Sequence, residues 1–386
     1  MVVSKYFLER FIFLFLQKNK NMGLNCGIIG IANCGKTTLF NCMSNTKAET
    51  SNYAFSSNKS NIAVINVPDP RLKELEKYQK TEKLVPATVE IIDIPGLTKG
   101  SSSGEGVGNQ FLADIRNTDA LIHVLRCFDD DNLPHVEGSV NPVRDMETID
   151  LELQIKDLES INKKILRMEK LLKGGDKEAK AALEVLHIYK EHLENMQNAR
   201  TAPVSDEDKK YIADLFLLTA KPVMFVCNID EASINNLNHH VKSVKEALAG
   251  QDVKILTVAA ALEAEIAELE TEEEKLEFLA DYGLKEPSVN LIIREAYDLL
   301  NLQSFFTVGP KEIRAWTIKK GMTAPEAAGV IHSDLQRGFI RAEVMKYNDF
   351  IELGSEQAVK NAGKFHVEGK TYIVEDGDIL HIRFNV

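Results

Sequence analysis

Cysteine is scarce and scattered in this 386-residue chain. Its five cysteines, Cys26, Cys34, Cys42, Cys127 and Cys227, make no C-x-x-C pair. That argues against a zinc ribbon or a disulfide framework and points to a reducing compartment, the cytoplasm. Long apolar runs are also missing. The most membrane-like stretch, Phe11 to Leu16, has six residues against the ~20 that a spanning helix needs, so no membrane role is expected. Lys5 and Arg10 precede it, but no small-residue cleavage pattern follows before Lys18, Asn19 and Lys20. Residues 1–21 therefore read as an extension, with the fold beginning at Met22. Basic charge is in deficit: 46 Lys+Arg against 58 Asp+Glu give a net charge of -12, which excludes a surface built throughout to neutralise phosphates. What remains is ordinary globular composition. Hydrophobic residues at 44% and charged residues at 27% rule out wholesale disorder, collagen and fibre, and the length allows two or three domains of ~150 residues.

From Leu24 a short apolar run ends at Gly30 and a helical stretch follows from Lys36 to Ser44, reading as strand, loop, helix. Strand-like runs recur at Ile62–Val67, Thr88–Ile94, Ala120–Arg126, Pro222–Asn228 and Lys254–Ala259. Strands alternating with helical segments imply an α/β fold, a mostly parallel, doubly wound sheet covered on both faces. Between Arg126 and Pro222, Leu151, Leu158, Ile165 and Leu172 fall seven apart with Ile161 and Met168 between them, until Gly174-Gly175-Asp176 breaks the run. Ala182, Leu186, Tyr189, Leu193 and Met196 continue the spacing, which predicts a coiled-coil hairpin inserted in the sheet domain and projecting as an arm. Residues 264–280, rich in Glu and Leu, read as a solvated helix. From Phe305 the texture changes to short strands, Ile313–Ile318, Phe339–Val344, Tyr372–Val374 and Ile379–Phe384, a separate small module. It is neutral, with 11 basic and 11 acidic residues, so RNA contact would fall here rather than on the acidic remainder. The expected division is 22–130 with 206–304 for the nucleotide domain, 131–205 for the arm and 305–386 for the last module.

Gly30-Ile31-Ala32-Asn33-Cys34-Gly35-Lys36-Thr37 matches G-x-x-x-x-G-K-[ST] in the strand–helix context that phosphate binding demands. Gly35 admits close backbone approach, and the following helix aims its amides at the anion. Lys36 is expected on the β- and γ-phosphates, Thr37 on a magnesium ion, and Thr38 near the α-phosphate. Asp93-Ile94-Pro95-Gly96 places a carboxylate to hold magnesium through water and the Gly96 amide to sense a γ-phosphate. The segment Lys99–Gly108 behind it reads as a switch loop. Asn228-Ile229-Asp230-Glu231 stands where GTPases carry N-K-x-D, with Ile229 for the Lys and Glu231 for the Asp; Asp230 lies one position short. The extra methylene of Glu231 weakens guanine selectivity, which favours ATP, or relaxed ATP/GTP use, over strict GTP. Leu97 occupies the position of the water-orienting Gln. Unaided hydrolysis should be slow and need a partner or a monovalent cation, K+ near Asn33. His123 reads as a satisfied core histidine.

These residues, with Gly104–Asn109, His123–Asp130, Gly138–Pro142 and Arg314-Ala315-Trp316-Thr317, make the chain resemble the YchF/Obg-like ATPase family from Met22 to Val386. The resemblance implies a Ras-like nucleotide domain, an inserted coiled-coil arm and a C-terminal TGS domain of β-grasp type. It also implies magnesium-dependent ATP hydrolysis and binding to the ribosome, chiefly its large subunit, in translation or stress regulation. The first switch departs from the family pattern: Asn52–Asn61 lacks its prolines and its Ile-Glu pair, Lys59 reverses a charge, and Ser57 stands for the magnesium-binding threonine. Lowered activity would follow. A strict GTPase and a nucleotide-sensing adaptor with little turnover are the rival readings.

Overall fold

The computed structural model describes residues 24–44, 60–96 and 107–385. The 1–21 extension, Ser57, Leu97 and most of the expected switch loop lie outside them. The first sheet runs in the order β2-β4-β1-β5-β6-β7, with β1 Asn25–Ile29, β2 Asn61–Asn66, β4 Thr88–Asp93, β5 Ala120–Arg126, β6 Val223–Asn228 and β7 Lys254–Val258. Strands β1, β5 and β6 are buried along their whole length, as their unbroken apolar runs require when helices cover both faces. The edge strand β2 alternates, with Ala63 and Ile65 inward, and it runs antiparallel to β4; every other pair in this sheet is parallel.

The arm is one helix, Pro142–Lys173, turned at Gly174-Gly175-Asp176 into a second, Lys177–Glu194. Asn141 and Asp176 cap their N-termini, and Gly175 takes the left-handed turn at φ 90°. The seven-residue seam is only partly dry. Ile161, Ile165 and Met168 pack on Ala182, Leu186, Tyr189 and Leu193, whereas Leu151, Leu172 and Met196 are exposed. The first helix has 32 residues and the second 18, so its first half extends beyond the second helix; there Met146, Ile149 and Leu153 join the main core with Val241 and Val244. Asp157, fully buried, clamps the junction by accepting from the amides of Leu218 and Thr219 and from the Thr219 hydroxyl at 2.6–2.8 Å.

The second sheet runs β11-β10-β12-β8-β9-β3, with β8 Leu302–Val308, β9 Ile313–Lys319, β10 Phe339–Lys346, β11 His366–Glu368 and β12 Asp378–Phe384. Its last strand, β3 Leu84–Val85, comes from the first half of the chain and pairs with β9 in parallel. One face carries its own core, Phe305, Ile318, Ala327, Ala342, Val344 and Leu380. The opposite face, including Phe306, Ile313, Met345 and Ile379, merges with the core of the first sheet. The module is therefore welded to the rest rather than tethered. Strand β8 also begins three residues before the expected boundary. Two further expectations change. Tyr372–Val374 makes a single bridge rather than a strand, Ile373 opposite Thr323, closed by Ala324 N donating to Tyr372 O and Val374 N to Met322 O. The Glu/Leu run is two helices, Ala260–Glu268 and Glu272–Asp281, the second opened by a Thr271/Glu274 capping box.

Candidate functional site

The site lies at the carboxyl ends of β1, β4, β5 and β6, where open α/β sheets hold ligands. Gly30 follows β1 at φ 153°; a Cβ there would sit 2.5 Å from Val124 O and 2.7 Å from Cys34 Sγ. Asn33 (φ 62°) and Gly35 (φ 98°) take left-handed backbone, and a Cβ on Gly35 would fall 2.2 Å from Asn228 Nδ2. No other residue type fits Gly35. The chain then enters helix Lys36–Ser44, whose Leu39, Phe40 and Met43 are buried, so its N-terminal amides are fixed toward the cleft. Cys34 is buried and burial pushes its thiol up: it packs the loop rather than reacting.

Lys36 Nζ donates to Ile31 O at 2.6 Å, curled over the loop. Gly96 packs against it, a Cβ there being 2.8 Å from Lys36 Nζ and 3.2 Å from Ala32 N. Thr37 Oγ1 donates to Asp93 Oδ2 at 3.1 Å. Asp93 is buried and its Oδ1 has no partner among the described residues; burial holds its carboxyl above the usual range, opposed by the Thr37 bond and the Lys36 charge. An orphaned carboxylate oxygen beside a hydroxyl fits a hydrated magnesium ion. Thr38 lines the same cavity, ≈440 Å³, with Asn33, Gly35, Lys36, Thr37 and Asn228. Asn33 Nδ2 donates to Pro134 O at 3.3 Å, tying loop to loop.

A second cavity of ≈430 Å³ shares Phe128, Asp130, Asn228 and Ala261 with the first and adds Ile229, Asp230 and Glu231. Buried Asn228 links the two: Nδ2 donates to Cys34 O and Oδ1 accepts from Ala260 N, both at 3.0 Å. Asp230 is spent on its own turn, accepting from Ser233 N. Glu231 accepts from the Tyr282 hydroxyl at 3.1 Å, so its carboxylate is positioned in the pocket by a residue 51 positions away. His123 is a core histidine but not a satisfied one. It lies against Phe225, its Nε2 has no partner among the described residues, and burial, aided by the Arg200 and Lys36 charges, drives its pKa down to about 3.

Sequence reasoning gave no role to Arg126. Its guanidinium, 1% exposed, donates to the carbonyls of Phe128, Leu133 and Asp130 at 2.8–3.3 Å and stacks on the Phe128 ring at 4.8 Å. It thereby shapes the loop that walls both cavities. An arginine closing the apolar run of β5 was the available signal, since a buried guanidinium must find acceptors.

Comparison with known proteins agrees with this geometry. A family model for a 50S ribosome-binding GTPase matches residues 25–173. Another, YchF-GTPase_C, described as a protein of unknown function (DUF933), matches residues 302–385. The chain is 48% identical over 365 residues to the ribosome-binding ATPase YchF of Haemophilus influenzae, covering 95% of this chain and 100% of that protein. To the protein of the same name from Bacillus subtilis it is 46% identical over 367 residues, with the same coverage. The solved structure of the Schizosaccharomyces pombe YchF GTPase superposes with a TM-score of 0.82 at 36% identity, over 94% of this chain and 98% of that one. Relatives at 46–48% identity that it covers over their full length, and a YchF C-terminal family model over residues 302–385, show that the chain belongs to the YchF family.

Proposed function

We propose that this protein binds ATP with magnesium, hydrolyses it slowly, and uses the bound state to control docking on the ribosome through its large subunit. The observation that carries the nucleotide half is the convergence of Lys36, Thr37, Asp93 and Gly96 on one end of the sheet, with Asp93 Oδ1 unpartnered among the described residues. Thr37 and Asp93, the latter through water, would hold the magnesium ion, with Ser57 from the first switch. When bound, the ion supplies charge neutralisation on the β- and γ-phosphates. Lys36 leaves Ile31 O to meet those phosphates, and the amides of the Gly30–Thr38 loop line the remainder. Gly96, pressed on Lys36, senses the occupant.

Adenine is favoured because Glu231 replaces the aspartate that accepts two guanine N–H groups, and Tyr282 already claims one of its oxygens. The relatives' names divide between ATPase and GTPase, so nucleotide competition decides. The arm, the TGS-type last module and the relatives named for ribosome binding support the ribosomal half, and any RNA contact would fall on that last module. K+ at Asn33 is the proposed activator in place of a positioned glutamine.

Four measurements test this. ATP turnover by wild type and Lys36→Ala should differ at least tenfold, and equal rates refute the catalytic assignment. Competition of ATP and GTP for one fluorescent nucleotide should favour ATP; a tenfold preference for GTP reverses the base assignment. Co-sedimentation with ribosomal subunits in ATP and in ADP should differ, and turnover should be faster in KCl than in NaCl.

A further inference from the structure

We infer that the protein carries a second, transition-metal site made by Asp129, His239 and His240, one that takes Zn2+ at the mouth of the base pocket. The ligating atoms of the three side chains all lie within 4.8 Å of one another, and His240 Nε2 is 3.2 Å from Asp129 Oδ2. Neighbouring residues of a helix ordinarily diverge. Here the His239 and His240 rings lie 3.9 Å apart, at the first two positions of helix His239–Ala247, and both face the loop after β5.

The scaffold holds this arrangement in place. Asn238 caps the helix by accepting from Val241 N, while its Nδ2 donates to Cys127 O at 2.7 Å, two residues before Asp129. Arg126 fixes the other side of the same loop through the carbonyls of Phe128 and Asp130. His240 is buried, whereas Asp129 and His239 are exposed, so one ligand is rigid and two are free to close the last ångström. A tetrahedral zinc ion with bonds of ~2.0–2.1 Å needs ligand atoms about 3.3 Å apart. The Asp129–His240 pair already has that spacing.

Donor chemistry selects the ion. Two imidazole nitrogens and one carboxylate suit zinc and its borderline neighbours, whereas magnesium and calcium take oxygen sets. Three protein ligands leave a fourth position for water or another exchangeable ligand. Asp129, Asp130, Asp230 and Glu231 all line the base pocket, so the mouth attracts cations, and a zinc ion there would cancel carboxylate charge where a purine enters. The metal site stands without the nucleotide reading. Its coupling to nucleotide affinity rests on that reading.

The test uses full-length protein free of any polyhistidine tag and of nucleotide, titrated with Zn2+ against a chromophoric chelator. One ion per chain is expected in the wild type, with affinity at least tenfold lower in His239→Ala and in Asp129→Asn. Co2+ should give the visible bands of a four- or five-coordinate N/O site, with no sulfur charge-transfer band. Absence of binding, equal affinity in His239→Ala, or a thiolate band would overturn the site. Circular dichroism of His239→Ala, expected to match wild type, excludes misfolding as the cause of any loss. ATP affinity with and without Zn2+ should then differ in wild type and not in His239→Ala. If zinc binds but ATP affinity does not move, the site stands and the coupling fails.

Discussion

Asn228→Ala should separate the two jobs of one side chain. Asn228 donates to Cys34 O and accepts from Ala260 N, both at 3.0 Å in a buried setting. Helix Ala260–Glu268 begins after Ala259, which has no side chain to cap it, so Asn228 caps it from the neighbouring strand. Losing a cap costs about 1 kcal/mol, and orphaning a buried carbonyl costs about 1–2 kcal/mol more. A total near 2–3 kcal/mol would lower the thermal midpoint by several degrees. The phosphate loop, no longer anchored at Cys34, would occupy its binding geometry less often. A penalty of about 1.4 kcal/mol there weakens nucleotide affinity tenfold. The assay is a fluorescent-nucleotide titration alongside thermal melting. Adding Ala259→Ser restores a local cap without touching Cys34, so the double variant should recover part of the midpoint and none of the affinity. Affinity in Asn228→Ala within twofold of wild type, or affinity recovered by Ala259→Ser, would refute the bridging role.

Arg126→Met removes three carbonyl contacts and should cut nucleotide affinity about tenfold by releasing the loop 128–133; unchanged titrations would show that the loop holds itself. Asp157→Ala strips three hydrogen bonds to a carboxylate and leaves two amides buried, so a loss of about 2–4 kcal/mol is expected, read as a lowered melting midpoint with nucleotide affinity retained. Asp93→Asn carries a pH signature. Burial raises the Asp93 pKa in the fold, so its favourable contribution exists below the unfolded pKa and is lost as pH rises through the folded one. The wild-type midpoint should therefore fall relative to Asp93→Asn as pH rises above the ordinary carboxylate range, while the variant binds ATP less tightly in magnesium. A pH-independent difference would count against the burial argument.

The phosphate loop was legible because its chemistry is made by backbone, and backbone shape is written in glycine: Gly30 and Gly35 stand where a Cβ would strike Val124 O or Asn228 Nδ2. Within the Asn228–Glu231 box, Asp230 is spent on its own turn, accepting from Ser233 N, while Glu231 accepts from the Tyr282 hydroxyl, a division that spacing alone does not show. What stayed hidden involves partners with no side-chain identity. Arg126 acts on carbonyls, which any residue offers, and Asn238 reaches Cys127 O across a sequence separation of 111. Periodicity named the apolar face of the arm but not its extent, because Leu151 is spaced like Ile165 and yet lies beyond the reach of the shorter second helix. The parallel run of the central strands was legible, but the direction of the edge strand was not. Asn61–Asn66 alternates as an edge strand would whether it runs parallel or antiparallel, and the two residues Leu84–Val85 are too few to show any period. That short strand nonetheless extends the C-terminal sheet into the first half of the chain, a pairing that only the three-dimensional fold carries.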